Sequence, residues 1–223
     1  MKKIRINNLV SYSLGQILLS IGVVLAVKSN YGVTVATAVA YVLSEHTELI
    51  SFGTYSYLIQ GLVFILMLIL LKEKNPRYLI SFVTAIISGY CIDLSSLIMI
   101  DVMLESHLHR SMAFIASIFI ISTGLVFFIK SEIPILPFDL FVKKVTDKYA
   151  ISFSRFKMAF DVFNLLLAIG LCFLFFGQLE GVYLGTVLSA LCIGPCIGLM
   201  MIFVNNYFEI NAIKSRFFFN HYN

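Results

Sequence analysis

Six long apolar runs constrain this chain more than any other feature. They cover residues 11–28, 54–71, 78–100, 112–129, 156–176 and 182–204. Each is close to the roughly 20 residues that a helix needs to cross the hydrocarbon of a bilayer. Inside hydrocarbon every backbone N–H and C=O must bond within the protein, so runs of this length read as membrane-spanning helices. Residues are 60% hydrophobic and only 13% charged, where a soluble domain carries about a quarter. One transmembrane domain, residues 1–223, accounts for the whole sequence. The net charge of +4 does not indicate a nucleic-acid partner, because the Lys and Arg are scattered between apolar runs and fit loops facing anionic lipid.

The breaks between runs are equally informative. Lys2, Lys3 and Arg5 precede the first run, as in a signal peptide, but no small-residue cleavage pattern follows it, so the run reads as a retained span. Two segments, 33–45 and 137–146, are too short to cross and suit re-entrant or interfacial helices. Pro76 and Pro134 stop the helices before them. Residues 205–223 form a tail that mixes Phe with Lys214 and Arg216 and suits a membrane surface. With six spans both ends lie on one side. Lys and Arg crowd that side, at Lys72, Lys74, Arg77 and between Lys130 and Lys157, and place both termini in the cytoplasm.

The chain is also duplicated. Tyr78-Leu79, Thr84-Ala85, Gly89, Cys91-Ile92 and Leu94 match Tyr183-Leu184, Ser189-Ala190, Gly194, Cys196-Ile197 and Leu199. Gly22 through Ser29 matches Gly124 through Ser131, and Ile50-Ser51-Phe52 matches Ile151-Ser152-Phe153. Repeat 1 covers about 8–100 and repeat 2 about 111–204. Each holds three spans, an odd number, so the copies must cross in opposite directions. The expected fold is all-α: six spans in two inverted three-helix repeats, each with a short helix after its first span. Inverted repeats with interrupted segments at matching positions are a mark of secondary transporters.

Several of these residues give the chain a family likeness. Thr47, Ser51 and Gly53 open the second span, with Glu48 in place of a glycine; Pro137-Phe138-Asp139 follows the fourth, and Ile193-Gly194-Pro195 lies in the last. In these motifs the chain resembles the YczE branch of the YczE/YyaS/YitT group of bacterial membrane proteins. The likeness covers nearly the whole chain. It implies a bacterial inner-membrane protein of poorly defined activity. The Gly-Pro that the branch carries after its first span is replaced by Val33-Thr34-Val35.

Polar groups within apolar runs are the candidates for a site. Asp93 stands deepest; a charge facing lipid there costs about 2.5–3.5 kcal/mol or more, so it is expected to face the interior as a substrate or proton site, or as a partner for helix hydroxyls. Asp161 lies four residues after Lys157 and is expected to pair with it; its repeat counterpart is Gln60. Asp139 sits where a carboxylate stabilises a helix N-terminus. Asn164, Gln16 and Tyr90 are further cavity-lining candidates. Cys192 and Cys196 share a helix face but have no His or carboxylate beside them, so neither a metal nor another cofactor is expected. No hydrolase or metalloprotease motif is present, and His46, His107, His109 and His221 fall in loops or the tail, so an enzyme is not expected. The expected activity is transport of a small polar solute, with protons as a coupling ion. The alternative is a non-transporting membrane partner or a regulatory subunit of a larger complex, and the partners expected besides lipid are a second copy of the chain or another protein at the basic cytoplasmic face.

Overall fold

The computed structural model describes residues 3–47, 49–72, 78–131, 133 and 136–211. Lys2, Glu48, Lys74, Pro76, Arg77, Pro134, Lys214, Arg216 and His221 lie outside the described residues. Along the chain run strand β1 (Ile4–Asn7) and helices α1 (Asn8–Ser29), α2 (Val35–Thr47), α3 (Phe52–Leu71) and α4 (Tyr78–Ile98). There follow α5 (His107–Lys130), α6 (Pro137–Tyr149), α7 (Phe153–Phe176), α8 (Leu184–Tyr207) and strand β2 (Phe208–Asn211). Helices α1, α3, α4, α5, α7 and α8 are long and apolar enough to cross a membrane; α2 and α6 are the two short helices.

Local chemistry sets the helix ends. Asn7, Ser51 and Ser106 cap α1, α3 and α5, each side chain accepting a backbone N–H at 3.1–3.3 Å. These caps move the helix starts outward from the apolar runs, to Asn8 and His107. Asn30, Lys72, Ala150 and Gly177 end α1, α3, α6 and α7 in the left-handed conformation. Two readings of the sequence differ from the structure. His46 sits in the last turn of α2, and His107 and His109 in the first turn of α5, rather than in loops. The segment after residue 204 is not all tail: α8 continues to Tyr207, and β2 then pairs in parallel with β1.

Helices α1 and α5 form the central pair. A Cβ on Gly15 would lie 2.7 Å from the Phe128 nitrogen and 2.8 Å from the Gly124 oxygen, and one on Gly22 would lie 3.2 Å from the Ser117 oxygen. Such closeness needs small residues, as in glycine-mediated helix pairs in lipid. The Ser11 hydroxyl donates to the Phe127 carbonyl at 2.7 Å across the same seam. Helix α4 flanks α1, and α8 flanks α5.

The short helices fill two apolar clusters. Ala38, Val39 and Val42 of α2 pack with Ala168 and Cys172 of α7, against Ile59 of α3. Leu140, Phe141 and Val145 of α6 pack with Phe64, Met67 and Leu71 of α3, against Phe156 and Phe160 of α7. The β1–β2 pair joins the start of α1 to the end of α8, which defines one face of the bundle, here the terminal face. Lys148 Nζ donates to the Leu71 carbonyl at 3.1 Å, so α6 and the end of α3 share that face. At the opposite face, Lys28 Nζ donates to the Ile100 carbonyl just beyond α4, and the Tyr31 carbonyl accepts from Gly185 at the start of α8.

Candidate functional site

Four polar side chains sit close to mid-span. At about 1.5 Å per residue, Gln16, Gln60 and Asp161 each lie about 12 Å into their helices, and Asn164 about 16 Å. Gln60 is flanked by Ile59 of one apolar cluster and by Phe64 of the other. Asn164 is flanked in the same way by Leu165 and Phe160. Both therefore stand at the level where the territory of α2 gives way to that of α6.

These groups differ in how well they are satisfied. The amide of Asn164 donates to the Phe160 carbonyl at 2.8 Å. Gln16 is only 2% exposed and neither of its amide atoms has a partner; Gln60 is 5% exposed and its Oε1 has none. Unpartnered buried polar atoms cost about 1–3 kcal/mol each, so folding alone does not account for groups of this kind. Thr186, fully buried at the start of α8 with its hydroxyl unpartnered, is a further such group that no sequence pattern signals.

An ion cluster sits beside this level, toward the terminal face. Lys157 Nζ lies 2.8 Å from Asp161 Oδ1 and 3.7 Å from Asp139 Oδ1, with all three side chains about one-third exposed. The i,i+4 pair follows from helical spacing. The link to Asp139 does not; it ties the first turn of α6 to α7. Phe138 and Phe160 meet beside it in a tilted ring contact, with centroids 5.5 Å apart and an interplanar angle of 57°.

Asp93 does not join these groups. The Ser51 hydroxyl donates to its Oδ2 at 2.6 Å and the Gly53 N–H to its Oδ1 at 2.7 Å. The carboxylate thus caps the N-terminus of α3, where the helix dipole favours negative charge. The close approach is possible because Gly53 faces Gly89 backbone to backbone; a Cβ on either would overlap the other. Among the described residues both hydrogen-bond donors to Asp93 belong to the start of α3, and none to α1. Tyr90 is 64% exposed and lies against Tyr57 on the outside of the bundle, so it lines no interior space. At the opposite face, burial and then the carboxylates of Glu45 and Glu180 push the Tyr41 phenol well above its ordinary range.

No curated protein and no solved structure matches the chain. A family model does match, over residues 6–202, which takes in both short helices and all of the spans but the last five residues of α8. By that match, the chain belongs to a family of unknown function, DUF6198.

Proposed function

We propose that this integral membrane protein is a secondary transporter of a small polar solute, working by alternating access of two inverted repeats in a bacterial cytoplasmic membrane. The observation that carries the reading is the pair of buried glutamines near mid-span: both amide atoms of Gln16 and the Oε1 of Gln60 lack partners among the described residues. A chain that only needed to fold would gain by replacing them with apolar residues. The Lys157–Asp139–Asp161 cluster, within about a turn of that level, offers charge of both signs to a polar solute.

The contacts support the inverted arrangement. Repeat alignment exchanges Gly15 with Ser117 and Gly22 with Gly124, and the contacts Gly15–Gly124 and Gly22–Ser117 exchange with them. Helix α2 ends against the C-terminal turns of α7, with His46 stacked 4.0 Å from Phe175; α6 ends against the C-terminal turn of α3. Each short helix so reaches the second span of the other repeat. Burial of Ala38, Val42 and Val142 supports segments wedged between spans rather than resting on a membrane surface. Pro137-Phe138-Asp139 and Ile193-Gly194-Pro195 support placement in or near the YczE branch.

Uptake of a radiolabelled solute library into proteoliposomes tests the reading. At least one polar solute should accumulate, and Gln60→Ala should lower that uptake at least tenfold without loss of folded protein. A library with no substrate would favour the second reading, a membrane partner subunit. The observation behind that alternative is the exposure of α7 and α8, whose span windows are 17% and 11% buried against 56% for α5.

A further inference from the structure

The two halves differ at one joint. In the first, α3 and α4 pack together, with Gly53 on Gly89 and Asp93 bonded to Ser51 and Gly53. In the second, Gly198 stands at the position of Asp93 and Gly194 at that of Gly89. Nothing lies within 4 Å of a Cβ built on either, and among the described residues α7 and α8 make no contact comparable to that of α3 and α4. Helix α8 also holds Pro195 in its interior, between those two glycines. A proline there withholds one helical hydrogen bond and makes the helix easy to bend at that point. The joint on the first half lies at the opposite face, and its counterpart lies at the terminal face.

We propose that Asp93 is the latch of a closed gate between α3 and α4 at the opposite face, and that the α7–α8 cleft is the matching gate standing open at the terminal face. The structure is then the terminal-face-open state of a two-gate cycle, and α8 closes onto α7 by bending at Gly194-Pro195 when the Asp93 latch is released. The part-exposed Lys157, Asp139 and Asp161 lie on the side that this state leaves open. The inference rests on the transport reading for its purpose, but its test does not use transport.

The test is a pair of distances between nitroxide labels in nanodiscs, in a chain whose native cysteines are replaced. One pair sits on Leu58 and Leu97, across the α3–α4 joint, and the other on Met158 and Ile202, across the α7–α8 cleft. All four side chains are exposed, so the labels leave the packing intact. In the otherwise unaltered chain the first distance should be short and narrow and the second long. Asp93→Ala should lengthen the first by several ångströms and shorten the second. Asp93→Asn, whose amide oxygen still accepts from Gly53, should leave both as they were. If Asp93→Ala does not fold, Gly53→Ala pries the same joint with the carboxylate in place and should produce the same shift. Unchanged distances in the folded variant overturn the proposal. So does a longer first distance with an unchanged second, which would make Asp93 a local clip rather than one gate of two. Either failure leaves the solute-uptake result standing, and a failed uptake assay leaves the distances standing.

Discussion

At the scale of single residues, the same kind of ion pair has different consequences in different surroundings. Arg5 and Glu209 meet at 3.0 Å, but their side chains are 76% and 45% exposed, so the pair contributes less than about 1 kcal/mol. Lys157 is held between two carboxylates at a part-buried site. Lys157→Ala would leave Asp139 and Asp161 facing each other without a counter-charge. After allowing for their partial exposure, the loss is about 1–3 kcal/mol. In thermal unfolding this should lower the midpoint by several degrees, at about 2–4 °C per kcal/mol for a chain of this size. Adding Asp161→Ala should recover most of the loss, and Arg5→Ala should change little. Gln16 tests the opposite case. Gln16→Leu removes two unpartnered buried atoms at nearly constant shape, so it should raise the midpoint while lowering uptake. A lower midpoint would mean that the amide has a partner in the membrane, such as an ordered water.

At the scale of elements, the helices were legible and their joints were not. Runs of about 20 apolar residues leave a span little choice in lipid, so all six appear with only their ends displaced. Those ends moved because Asn7 and Ser106, polar residues outside the apolar runs, act as caps. The strands β1 and β2 are four residues each, too short for any alternation to show, and they exist only because α1 and α8 bring them side by side. The site divides in the same way. The Lys157–Asp161 pair is local and readable from spacing. The hydrogen bonds that Ser51 and Gly53 donate to Asp93, and the ion pair of Lys157 with Asp139, join different elements, and one sequence holds no record of them. Lys148 is a further example, with Nζ on the Leu71 carbonyl at the end of α3. A cation at a helix C-terminus contributes about 0.3–1 kcal/mol. Lys148→Ala should therefore lower the unfolding midpoint by about 1–4 °C, and Lys148→Arg should restore it.

At the scale of the whole molecule, charge and fold must agree on a single orientation. The strand pair puts the start of α1 and the end of α8 on one face. Lys148 places α6 there, and the packing of Phe156 against Leu71 and Tyr78 adds the start of α7. Of the 11 Lys and Arg among the described residues, all but Lys28 and Arg110 belong to segments that attach to that face. Lys28 spends its donor on the Ile100 carbonyl and Arg110 on the Leu104 carbonyl, while Glu45, Asp101, Glu105 and Glu180 share their face. Basic residues flanking spans are retained in the cytoplasm during insertion, so the terminal face should be cytoplasmic. Single cysteines at Tyr149 and Glu105, in a chain without native cysteines, read this directly in intact cells. An impermeant maleimide added outside should label the Glu105 position and spare the Tyr149 position, which should react only after the membrane is opened. Labelling at both positions from outside would mean a population inserted in two orientations, and the reverse pattern would invert the molecule and exchange the sides on which the two gates open.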